Sequence, residues 1–103
     1  MKFICKYLQD NHVKAEVQYI DDRHANVLAV IPGKSGKNII WNGHLDTVPY
    51  GDEDEWDAEP SVPAQRDRKI YARGASDMKS GLAAMVYLLG ELGKSGEKPE
   101  KGI

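Results

Sequence analysis

Apolar and polar positions follow two distinct periods along this chain. Phe3, Ile4, Tyr7 and Leu8 recur at helical spacing with Lys2, Lys6, Gln9 and Asp10 between them, which predicts a short amphipathic helix over Lys2–Asp10 that stops at Asn11. From Ala15 to Ile20 the period falls to two: Ala15, Val17 and Tyr19 alternate with Glu16 and Gln18, the pattern of a strand with one wet face. The polar cluster Asp21-Asp22-Arg23-His24 reads as a turn. Asn26–Ile31 is nearly all apolar and is closed by Pro32-Gly33, so a second strand is expected there, buried on both faces. After the loop Lys34–Lys37 a third strand, Asn38–Asn42, runs into Gly43-His44.

The second half is less regular. Between Leu45 and Arg68 there is little periodicity, and the segment holds three prolines and the acidic run Asp52–Asp54. A loop of that length within a small domain is usually functional or disordered. Lys69–Arg73 predicts a short strand, Gly74–Ser76 a turn, and Met78–Leu92 a helix whose apolar face is Met78, Leu82, Met85, Val86, Leu89 and Leu92, with Gly93 and Gly96 as its stop. Helix, three strands, long loop, strand and helix amount to an α/β arrangement with a mixed sheet. In it the first two strands pair as a hairpin and the later ones connect by crossovers.

Composition narrows the function classes. The 103 residues suffice for one domain with one modest core, and 41% hydrophobic with 29% charged residues is the balance of a soluble globular chain. A formal net charge of -2 with scattered lysines supplies no basic field for nucleic acid or a membrane surface. No apolar run approaches the ~20 residues of a membrane span. Cys5 has no partner for an internal disulfide and no signal peptide is recognisable near the N-terminus, so a reducing cytoplasm is expected, with Cys5, beside Phe3 and Ile4 on the helix, in a packing or inert role. There is no internal repeat.

Two places carry candidate chemistry. His44 and Asp46 lie two apart, so on a strand both point to the same side, as a metal-bound imidazole and the carboxylate orienting it must. The same two residues also suit a polar strand end with a local hydrogen bond. Asp77 stands just before the last helix, where aspartate serves as an N-cap. A carboxylate there can equally turn outward to a cation. Taken singly, neither spacing decides.

The two motifs together do. "GHLDTVPYGDEDEW" followed by "IYARGASDMKSGLAA" resembles the co-catalytic zinc amidohydrolases that include acetylornithine deacetylase, succinyl-diaminopimelate desuccinylase, aminoacylase and carboxypeptidase G. Their pattern is His-x-Asp-Thr-Val-Pro, then Gly-Asp and a Trp, then Leu/Ile-Tyr-Gly-Arg-Gly-x-x-Asp-Met-Lys-Gly-Gly. His44, Asp46, Thr47, Val48, Pro49, Gly51, Asp52, Trp56, Tyr71, Arg73, Gly74, Asp77, Met78, Lys79 and Gly81 match it in order. Ala72 and Ser80 depart from it, each where the pattern has glycine, and neither departure removes a ligand.

The resemblance implies part of a three-layer α/β/α zinc-exopeptidase-like domain, residues 1–103 forming a single partial catalytic domain without the lid or dimerisation domain. It implies two zinc ions per complete site, with cobalt or manganese able to replace them. It makes His44 a zinc ligand, Asp77 the carboxylate bridging both metals, Asp46 the catalytic residue that steadies the His44 ring, and Asp77-Met78 a cis peptide. The reaction implied is hydrolysis of the amide bond of an N-acyl amino acid or small peptide, with the choice among substrates unread. The family's Glu-Glu pair and later ligands are not among these residues, so weak zinc binding and little turnover are expected. His12 and His24 are expected to be surface residues, and the acidic stretch Asp52–Glu55 a solvated loop. An uncovered sheet edge leads to an expectation of homo-oligomers, and to an alternative in which the chain is a non-catalytic interaction module.

Overall fold

The computed structural model describes residues 1–103, which divide into two compact units: Met1–Asn42 together with Met85–Ile103, and Gly43–Ala84. In the first unit, helix α1 spans Lys2–Asp10, as its spacing predicts, and strands β1 (Lys14–Tyr19) and β2 (Ala25–Val30) pair as an antiparallel hairpin with Val17 opposite Val27. The connecting turn is organised by Asp21, whose Oδ1 accepts from the backbone N–H groups of Arg23 and His24 at 2.8 and 2.7 Å. Its carboxylate also meets the His24 ring at Nδ1, 2.8 Å away. These contacts, the Arg23 N–H first among them, hold the Asp21 carboxyl below the usual carboxylate range.

The core of this unit gathers Cys5 and Leu8 from α1, Val13, Ala15 from β1, Ile31, and Leu89 from the last helix, α2 (Ser80–Ser95). Val17, Val27, Ala29, Val86 and Leu92 pack around them. Apolar residues at period two along the strands and near 3.6 along the helices point inward to the same place, which is why both patterns are needed to close one core. Cys5 is buried and free. On α2, Gly90 and Gly93 let Tyr7, the Asn11 backbone and the Val13 side chain approach the helix closely: a Cβ on Gly93 would meet the Asn11 carbonyl oxygen. The helix ends at Ser95 and the chain turns at Gly96 with φ 67°.

Three expectations are corrected. First, β2 is covered on one face only. Its residues alternate between half-buried and exposed, with Leu28 and Val30 on the open side, because the core lies on one side of this two-stranded sheet. Second, the strand expected over Asn38–Asn42 is reduced to one parallel bridge, Asn38 with Gly102. A strand exists through its ladder, and only Gly102 lies alongside, giving its N–H to Lys37 O and accepting from Ile39 N–H. Third, the sheets are two separate antiparallel pairs, so the single mixed sheet is absent; the fold is a small α/β arrangement of two helices and two hairpins.

The second hairpin belongs to the unit Gly43–Ala84 and lies mostly inside the expected loop. Strand β3 (Ala64–Arg66) pairs with β4 (Lys69–Tyr71) through a two-residue turn in which Asp67 and Arg68 have φ 48° and 62°. Positive φ at both turn positions suits the right-handed twist of hairpins. The usual Asn-Gly signal is missing here, which hid the turn in the sequence. The acidic run forms a single 3-10 turn, Glu53–Glu55, capped by the Asp52 side chain accepting from Asp54 N–H at 3.1 Å. No helix is long and apolar enough to cross a membrane.

Candidate metal centre

His44, Asp46 and Asp77 come together within the unit Gly43–Ala84. The imidazole of His44 is held from below by its own loop: Nδ1 lies 3.1 Å from the backbone carbonyl oxygen of Asp46. A carbonyl only accepts, so this contact puts the ring proton on Nδ1 and leaves Nε2 with its lone pair. Nε2 faces Asp77, 3.2 Å from Oδ1. The Asp46 carboxylate lies farther off, 3.4 Å from Nδ1, and its side chain is 90% exposed. The ring is therefore oriented chiefly by the Asp46 main chain, with the carboxylate adding charge. No strand carries His44 and Asp46; a loop without regular secondary structure presents them.

Asp77 does not cap α2. The backbone enters the helix through a tight turn over Ala75–Lys79 that begins at Gly74 (φ 83°), where Lys79 N–H bonds to Gly74 O. Asp77 and Met78 are non-helical within it, and the peptide between them is cis, as the family resemblance implies. The Asp77 side chain is 81% exposed and turned toward His44. The capping explanation is thus removed by the backbone path, which no spacing rule conveys.

The electrostatics follow. The hydrogen bond to Asp46 O is the main influence raising the His44 pKa above 6.5; desolvation opposes it, and the charges of Asp77 and Asp46 add to the rise. A lone pair set against a carboxylate is repulsive without a cation or proton between them, so the pair favours a proton or a metal ion. Zinc holds its donors at about 2.0–2.2 Å in a tetrahedron, which separates two of them by roughly 3.3 Å. The 3.2 Å between Nε2 and Oδ1 fits two donors to one ion. The donor set is partial, because no cluster of three or more His, Cys, Asp or Glu side chains is arranged to hold a metal.

Several neighbours escaped the sequence reading as working parts, although they stand in the matched motif. Arg73 Nη2 donates to Tyr50 O at 2.9 Å, and Trp56 Nε1 donates to the same oxygen at 3.0 Å. The Arg73 guanidinium also lies over the Trp56 ring, 4.8 Å from its centroid. Arg73 N–H bonds to Pro60 O, and its Nε is buried with no hydrogen-bond partner. Nearby, Thr47 packs against Gly74 so closely that a Cβ there would lie 2.5 Å from Thr47 Cγ2. These links join positions distant in sequence to backbone atoms, which leaves no residue-type signature.

Residues 40–103 match the peptidase family M20/M25/M40. The chain belongs to this family. Over 104 aligned residues it is 35% identical to a probable succinyl-diaminopimelate desuccinylase of Staphylococcus aureus (strain MRSA252), covering 97% of this chain and 25% of that protein. A succinyl-diaminopimelate desuccinylase of Bordetella petrii is 50% identical over 54 residues, 52% of this chain and 14% of its own length. A third, from Bordetella avium, is 48% identical over 59 residues, 57% of this chain and 16% of its length. The chain spans about a quarter of the length of the first of these curated relatives.

Proposed function

We propose that His44, Asp46 and Asp77 are the part of a zinc-dependent amide-hydrolysing centre contributed by this segment of a family member. The observation that carries the reading is the 3.2 Å approach of His44 Nε2 to Asp77 Oδ1, with Nδ1 tied to the Asp46 carbonyl. His44 supplies a neutral nitrogen donor whose tautomer is fixed. Asp77 supplies a largely exposed carboxylate that turns Oδ1 toward His44 and whose two oxygens can serve two ions. Asp46 orients the ring and adds negative charge behind it. Paired metal ions bound there would polarise an amide carbonyl and activate water near neutral pH.

The substrate class under this reading is an N-acyl amino acid or small peptide, in line with the names of the similar desuccinylases. The architecture it belongs to is a three-layer α/β/α zinc-exopeptidase-like domain, of which residues 1–103 are one part, and the setting is cytoplasmic. Zinc takes four donors, and amide hydrolysis needs a general base. With two donors the chain by itself binds zinc weakly and turns over little.

Zinc content after dialysis against a fixed micromolar zinc buffer tests the reading. Wild type is expected to retain more metal than His44→Ala and Asp77→Asn. Equal retention by all three would remove the metal role from this pair.

A second reading, an interaction module that self-associates, is favoured by the 88% exposure of Ile40 in a segment whose only ladder contact is at Asn38.

A further inference from the structure

We infer that Arg73 is the positioning residue that sets the separation of His44 and Asp77, an inference that rests on the metal reading above. The side chains of the pair have limited packing to hold them, since His44 is 46% and Asp77 81% exposed. Their geometry is therefore inherited from the two loops that carry them. His44 and Asp46 sit on the loop leading to Tyr50, and Asp77 on the turn that follows Arg73. Two contacts fasten these loops to each other: Thr47 against Gly74, and the Arg73 guanidinium on the Tyr50 carbonyl.

The second contact is the more demanding. The Tyr50 oxygen receives both Arg73 Nη2 and Trp56 Nε1, so both of its lone pairs are used and its position is fixed from two directions. Trp56 in turn forms the surface on which the guanidinium stacks. The Arg73 Nε is buried without a hydrogen-bond partner while the residue as a whole is half-buried, and partial desolvation of this kind strengthens a cation–π contact. Arg73 N–H on Pro60 O secures the same residue from its main chain. Arg73 touches neither metal donor, and acts by keeping one loop against the other. Lysine is no substitute, because a compact ammonium can reach a carbonyl but has no planar face to stack.

The test uses the whole chain with labelled histidine nitrogens, followed by NMR during zinc titration of wild type, Arg73→Ala and Arg73→Lys. In wild type the His44 Nε2 resonance should respond to zinc. Both variants should need roughly tenfold more zinc for the same response, the size typical when a group supporting a metal ligand is lost. His12 and His24 should keep their wild-type positions, reporting that the unit Met1–Asn42 with Met85–Ile103 stays folded. Wild-type zinc affinity in either folded variant would overturn the role of Arg73 while leaving the metal reading standing. Loss of the native His12 and His24 signals in both variants would also overturn it, making Arg73 a general stability residue. A wild-type His44 that ignores zinc would bring down both proposals.

Discussion

His44 owes its proton affinity to its neighbour's main chain more than to any carboxylate. Because the Asp46 carbonyl bond is the first cause of its raised pKa, Asp46→Asn should leave most of the rise in place. Asp77→Asn, which removes a charge facing Nε2, should lower it part of the way. An NMR titration of the metal-free chain should find His44 half-protonated above pH 6.5 in wild type. A folded-state pKa raised above the unfolded one adds stability below pH 6.5, lost as pH rises through the folded value. Zinc works against the same proton, so its binding should weaken as pH falls through that value. At this scale the residue types were legible: histidine, aspartate and the second aspartate were all identifiable from the motif. That Nδ1 contacts a carbonyl, and that Asp77 leaves the helix start uncapped, depended on backbone angles that no residue type encodes.

Elements were legible where one face packs into the core. Helix α1 has its expected bounds, although Phe3 of its apolar set is exposed, and β1 and β2 lie within a residue of theirs. Helix α2 buries or half-buries Leu82, Met85, Val86, Leu89 and Leu92 of the predicted stripe, with Met78 lying before its start. Where pairing decides, as at Asn38–Asn42 and β3, periodicity misleads, because a strand needs a partner that its own sequence does not name. Close approach was also invisible. Alanine usually stabilises a helix over glycine by about 1 kcal/mol, yet Gly93→Ala should lower the melting temperature, since its Cβ would meet the Asn11 carbonyl. Urea unfolding should likewise find Leu8→Ala less stable by about 2–5 kcal/mol, the cost of emptying a buried leucine site, as Leu8 is only 1% exposed. An unchanged midpoint in either variant would mean that the α1–α2 packing described here is wrong.

At the scale of the whole chain, two hairpins and two helices leave much apolar surface in water, including Leu28 and Val30 on the open face of β2. The proposed self-association should appear in sedimentation velocity as mass rising with concentration, and a single monomer boundary throughout would contradict it. The family and its two motifs were legible in the sequence because they lie in one continuous stretch. The division into two units was not, since it depends on which segments touch.

The central claim is that His44 and Asp77 hold one metal ion between them. The most direct measurement is the 15N spectrum of His44 as zinc is added to wild type and to Asp77→Asn. The expected result is a large shift at Nε2 while Nδ1 keeps its proton, with the Asp77 variant needing far more zinc to reach it. A shift at Nδ1, or equal responses in the two proteins, would contradict the claim.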